Sequence, residues 1–114
     1  MSDCIFCRIV SGEIPCSLVY QDDSVMAFND INPLAPVHIL IISKQHIDSA
    51  QDINEGNSQV VAHIFEKIPA IAKEAGISDT GYRVITNIGK DGGQAVPHLH
   101  FHILGGRKLG TALG

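Results

Sequence analysis

An α+β domain on a mainly antiparallel sheet is the fold class that the sequence predicts, on three observations. Strand-like segments come as two, then one, then two more. A single long amphipathic stretch separates the third from the fourth. The last segment, His98-Leu99-His100-Phe101-His102-Ile103-Leu104, alternates imidazoles with apolar side chains, the period-2 pattern of a strand with two unlike faces. The expected architecture is one domain over residues 1–114, with five strands, one long helix and a short N-terminal helix.

The elements follow in chain order. A short helical turn is expected after Cys7 to about Ser11, closed by Gly12, and Pro15 ends that unit. Leu18–Gln21 and Ser24–Asn29 read as strands, and Gln21-Asp22-Asp23-Ser24 supplies the turn chemistry of a hairpin. In Asn32-Pro33-Leu34-Ala35-Pro36 each proline pushes its predecessor away from helix, so this is a loop. Val37–Ser43 is apolar on both faces and is expected to be central.

From about Glu55 to Ala75, Val60, Val61, Ile64, Phe65, Ile68, Ile71, Ala72 and Ala75 recur at helical spacing and form one face, with Gly76 as the stop. Pro69 falls inside this stretch, so two helical pieces are also open. Tyr82–Ile88 is the fourth strand, and Gly89-Lys90-Asp91-Gly92-Gly93-Gln94 a flexible loop before the histidine strand. Gly105, Gly106, Gly110 and Gly114 read as a loose tail.

Composition narrows the function. Apolar residues are 45% and charged residues 18% of the 114, an ordinary globular balance rather than that of a disordered chain. Twelve acids against eight bases give a net charge of -4 and no basic stripe, so a nucleic-acid duplex is not an expected partner, whereas a mononucleotide is compatible. The start, MSDCIFCRIVSGEIP, has Asp and Cys where a signal peptide would be basic, and no stretch approaches a membrane span. A cytoplasmic protein with no membrane partner is expected. In such a reducing setting Cys4-x-x-Cys7 points to a metal or redox site more than to a disulfide.

Two kinds of chemistry fit the histidine row. One is a catalytic metal on a His-x-His pair, which needs a third ligand and an open position. The other is metal-free nucleophilic catalysis by one imidazole. The glycine loop can cradle a phosphate with backbone N–H groups at Gly92-Gly93-Gln94, and Asn87 can add an amide donor. Cys4, Cys7, His46 and His98 would close a tetrahedral zinc set if the N-terminal turn packs at that end of the sheet. The alternative for the cysteines is two buried thiols. Cys16 reads as a packing residue, His38 equally as a core histidine or a site residue, and His63 as surface. Asp30, at a strand end, is a capping group or a carboxylate for a ribose diol.

HLHFHILGG resembles the histidine triad (HIT) family motif. CIFCRIVSGEIP, LVYQDDSVMAFNDINPLAPVHILIISKQHI, GYRVITNIGKDGGQ and VPHLHFHILGGR are together similar to its Hint branch over nearly the whole chain. Gly105-Gly106-Arg107 after the motif is closer to Hint than to the Fhit branch. His102 stands where the galactose-1-phosphate uridylyltransferase branch has Gln, which favours a hydrolase.

The resemblance implies a homodimer with a sheet continuous across the subunits, and a purine nucleoside phosphoramidase acting on AMP or GMP conjugates. His100 would attack the α-phosphorus to form a nucleotidyl-histidine that water then cleaves. His102 would contact the phosphate and His38 would support the site. Asn87 and the Gly93 and Gln94 amides would stabilise the phosphate oxygens, with Ala95 alongside. Asp30 would hold the ribose, and Ile5, Phe6, Ile9, Phe28 and Ile31 the base. Structural zinc on Cys4, Cys7, His46 and His98 is implied by the same family. Related activities it leaves open are hydrolysis of dinucleoside polyphosphates or other nucleotide conjugates, and nucleotide binding with residual catalysis. Ala95 departs from the Ser of many Hint sequences, and the tail has no Trp.

Overall fold

The computed structural model describes residues 3–113; Gly114, assigned above to the tail, lies outside them. Strands β1 (Leu18–Gln21), β2 (Val25–Asn29), β3 (Val37–Ser43), β4 (Tyr82–Ile85) and β5 (His100–Gly105) form one sheet. Its order is β1-β2-β3-β5-β4, and every neighbouring pair is antiparallel. Helices α1 (Ile5–Val10) and α2 (Gln59–Glu74) complete the fold. Among the described residues no helix is long and apolar enough to cross a membrane.

The pleat of β3 and β5 divides the interior in two. Ile39, Ile41, Phe101 and Ile103 pack with Ile64, Ile68, Ile71 and Ala72 of α2. On the opposite face Leu40 and Ile42 pack with Phe6 and Ile9 of α1 and with Met26 and Phe28. Register places His102 across from Leu40 and His100 across from Ile42, so both imidazoles belong to the α1 face. The two faces thus have different jobs: a dry core under α2, and a polar row under α1.

Several boundaries differ from expectation for local reasons. α1 starts at Ile5, not after Cys7, because Cys4 is its N-cap and its Sγ accepts the Cys7 N–H at 3.4 Å. α2 starts at Gln59 rather than Glu55. Upstream, Asn57 Oδ1 accepts the Asn54 N–H and Asn54 Oδ1 the Gly56 N–H, both at 2.7 Å, and these local bonds compete with helix. Pro69 leaves α2 unbroken: it is exposed, so water can satisfy the carbonyl its ring cannot serve. Phe65 stays half-exposed, its ring 5.5 Å edge-on to that of Phe101.

β2 begins at Val25 because Asp22 Oδ1 accepts the N–H groups of Ser24 and Val25 in the turn. β4 stops at Ile85, three residues early, where Thr86 Oγ1 donates to the His100 carbonyl at 2.8 Å and ends the ladder. Gly105 is no tail residue. It is a buried end of β5, and a Cβ there would meet Ile77 at 3.0 Å.

Candidate functional site

His98 does not lie on β5, so the three imidazoles are not one row. The Leu99 N–H bonds the Ile47 carbonyl, and the His98 ring swings to the end of the sheet, where its Nε2–H donates to the Ser43 carbonyl at 2.7 Å. His100 and His102 remain on the strand, with ring centroids 5.1 Å apart. They border a cavity of about 360 Å³. Ile5, Phe6 and Ile9 of α1, Phe28, Asp30, Ile31 and Ala95 line it, as the sequence suggested. Its wall is mainly apolar, which suits a flat aromatic ring with polar groups at one end.

The hydrogen bonds fix each tautomer. His100 Nδ1–H donates to the His98 carbonyl at 2.7 Å, which leaves the lone pair on Nε2. The Leu34 N–H donates to His38 Nδ1 at 3.1 Å, so neutral His38 carries its proton on Nε2 and donates it to His102 Nδ1 at 2.9 Å. His102 then presents Nε2–H as a donor. His38 is thus both buried and part of the site. Burial lowers the pKa of His102 to about 4, and charge on His100 and His38 would push the same way. Burial also lowers that of His38, against the pull of Asp30, whose Oδ2 lies 3.4 Å from Nε2. Asp30, His38 and His102 are close enough to chelate a cation. Their protons nevertheless form a relay, and a metal on His38 Nε2 would move a proton onto Nδ1, against the Leu34 N–H.

The glycine loop differs from expectation in how it uses its donors. The Gly93 N–H bonds the Lys90 carbonyl and the Gln94 N–H the Gly89 carbonyl, so both amides close the loop itself. Asn87 Nδ2 donates to the Gly92 carbonyl at 2.8 Å. Asn87, Gly93 and Gln94 therefore shape the loop, and Ala95 is the member that reaches the cavity. The Gln94 side chain donates to the carbonyls of Asp48 and Val96 at 2.6 and 2.9 Å and anchors the loop beside His46.

Cys4, Cys7, His46 and His98 converge, their ligand atoms within 4.8 Å of one another. His98 Nδ1 lies 3.3 Å from Cys4 Sγ and 3.6 Å from Cys7 Sγ, and His46 Nδ1 lies 3.1 Å from Cys7 Sγ. Tetrahedral zinc with ordinary bond lengths puts S and N about 3.6 Å apart, so the set fits with a slight expansion. Outer partners aim the rings. His46 Nε2–H donates to Asp48 at 2.7 Å and His98 Nε2–H to Ser43, so each Nδ1 offers its lone pair inward. Burial holds the His98 pKa below its ordinary value, which favours the ligating neutral ring.

Asp48, Leu34 and Thr86 were missed in the sequence. Asp48 had a signal, a carboxylate two residues after His46; Leu34 acts through its backbone and had none. His63, read as surface, is half-buried away from this site. Its Nε2 lies 2.6 Å from Asp22 Oδ2, which also accepts the Tyr20 hydroxyl, so it ties α2 to the hairpin. These bonds outweigh burial and hold the Asp22 carboxyl well below the usual range. Cys16 borders the cavity and packs on the α1 cluster.

Known proteins resemble the chain over nearly its whole length. The family model for scavenger mRNA decapping enzyme C-term binding matches residues 3–113. The purine nucleoside phosphoramidase of Escherichia coli (strain K12) is 46% identical over 109 residues, covering 96% of this chain and 92% of its own. A HIT family hydrolase from Clostridium thermocellum superposes with a TM-score of 0.96 at 45% identity, covering 99% of this chain and 98% of its own. A histidine triad protein from Clostridium difficile gives 0.95 at 55% identity, over 99% and 98%. With a family model matched over residues 3–113 and a relative 46% identical over nearly the whole of both chains, the chain belongs to the histidine triad family.

Proposed function

We propose that the protein is a purine nucleoside phosphoramidate hydrolase working through His100. The carrying observation is the His98 carbonyl on His100 Nδ1, which aims the opposite nitrogen's lone pair at the cavity. The phosphoramidase relative supports the substrate class. His100 Nε2 attacks the α-phosphorus, the P–N bond breaks, and the departing nitrogen keeps the electron pair. It takes a proton from water, because Ala95 offers no hydroxyl. His102 Nε2–H, backed by His38, donates to a phosphate oxygen. Water then attacks phosphorus and yields its proton to the hydroxide left by the first step, the P–Nε2 bond breaks back to His100, and the nucleoside monophosphate leaves.

In this reading Phe6, Ile9 and Phe28 hold the base, with Ile5 and Ile31 at its edge, and Asp30 holds the ribose. Cys4, Cys7, His46 and His98 would hold zinc, which would supply a structural clamp between α1 and the end of the sheet. A homodimer fits the same reading, since β4 lies at a sheet edge with a single strand neighbour. His100→Asn is the test: adenosine 5′-phosphoramidate turnover is expected to fall about 10³-fold or more. An unchanged rate in a folded variant refutes the proposal.

A further inference from the structure

We infer that the Cys4–Cys7–His46–His98 set and the nucleotide cavity are thermodynamically linked, so that a metal ion in the set tightens nucleotide binding and a nucleotide tightens the metal. The inference rests on the nucleotide reading above. Three physical connections carry it.

The first is α1. A helix of six residues cannot hold itself in water and takes its position from what anchors it. Cys4 caps it and Cys7 sits in its first turn, while Ile5, Phe6 and Ile9 of the same helix line the cavity. The Phe6 ring stands edge-on to both His98 and His100, at 5.7 and 5.1 Å between centroids. A shift of the two sulfurs therefore moves the base wall.

The second is His98 itself. Its ring Nδ1 faces the sulfurs, and its carbonyl accepts the Nδ1–H of His100. One residue thus joins the metal set to the group that aims the nucleophile. The third is Asp48. Its carboxylate orients His46, and its carbonyl anchors Gln94, next to the cavity residue Ala95. All three connections run through packed rings or hydrogen bonds of 3 Å or less to the cavity side.

Without a cation, the set is held only by the Sγ···Nδ1 contacts of 3.1–3.6 Å, which are weaker than four metal–ligand bonds. The set is then expected to splay, carrying α1, the residue 98 peptide and the loop with it. Linkage is reciprocal for binding free energies, which gives a test independent of turnover.

The zinc dissociation constant, measured against a competing chelator, is expected to fall about five-fold or more at saturating AMP. AMP affinity, measured by calorimetry on zinc-loaded and zinc-stripped protein, is expected to rise with zinc by the same factor. Equal zinc affinity with and without AMP, or no zinc bound at all, overturns the linkage. In that case AMP bound equally by both forms leaves the nucleotide reading standing. AMP bound by neither form overturns both. Should the stripped protein lose its circular-dichroism signature of folding, the cobalt-loaded protein decides. Its d–d bands shift on AMP addition if the linkage holds, and unchanged bands at saturating AMP overturn it.

Discussion

Replacing Gly92 by alanine tests whether the glycine loop sets the cavity wall at Ala95. A Cβ at residue 92 would sit 2.2 Å from the Ile88 carbonyl oxygen and 3.1 Å from Ile88 C and N. Real Cβ contacts essentially never fall under 3.0 Å, so something must yield by at least 0.8 Å. The obstructing atoms are backbone, so no rotamer change relieves them. The loop is closed by Gly93 and Gln94 N–H bonds to Lys90 and Gly89 and by Asn87 on the Gly92 carbonyl, so the displacement passes along it toward Ala95. Misplacing a reacting group by about 1 Å costs about 10²-fold in rate. That is about 2.7 kcal/mol of transition-state stabilisation. The assay is kcat/KM on adenosine 5′-phosphoramidate, with Gly110→Ala as control, since a Cβ there meets nothing within 4 Å. A Gly92→Ala enzyme with wild-type Tm and kcat/KM within about two-fold of wild type would refute the reasoning.

Other outcomes follow from the same geometry. His102 has a pKa of about 4 in the fold, against about 6.5 in the unfolded chain. The unfolded chain therefore takes up the proton first, and this group's contribution falls as pH drops from about 6.5 toward 4. Urea midpoints over that window should fall more for wild type than for His102→Asn, and parallel slopes would count against the buried neutral ring. Chelation should release zinc and lower Tm, and Cys7→Ser should start from the lower Tm with no response to chelator. A chelator-insensitive wild type containing no zinc argues against the metal. Pro69→Ala, on the exposed side of an unbroken α2, should raise stability by about 1–3 kcal/mol in urea unfolding. A decrease would mean that the proline acts mainly by restricting the unfolded chain.

β1 and β3 were readable to the residue, because turn residues bound the first and the second is a continuous apolar run. The cavity wall was readable through family likeness, and the fold brings those residues together. What escaped was set by single competing hydrogen bonds. The period-2 run continues back to His98, but the Ser43 carbonyl captures that ring and the strand starts two residues later. Asn54 and Asn57 delay α2, and Thr86 shortens β4, by bonds that no periodicity encodes. Gly93 and Gln94 have the right composition for an anion cradle. Their N–H groups turn inward because a loop this tight must close its own backbone.

The strand that carries His100 and His102 is the last of the described strands in sequence yet fourth in the sheet, wedged between β3 and β4. Ile42 pairs with His100 across an interval of 58 residues. Until β5 has entered that gap, β3 and β4 have no common partner and the α1 face lacks His100 and His102. The cavity bordered by both imidazoles is therefore complete only once β5 is in place. Contacts so distant in sequence carry a larger loop-closure cost than the local β1–β2 hairpin. A chain cut before β5 would be a sheet with an open slot rather than a weak enzyme.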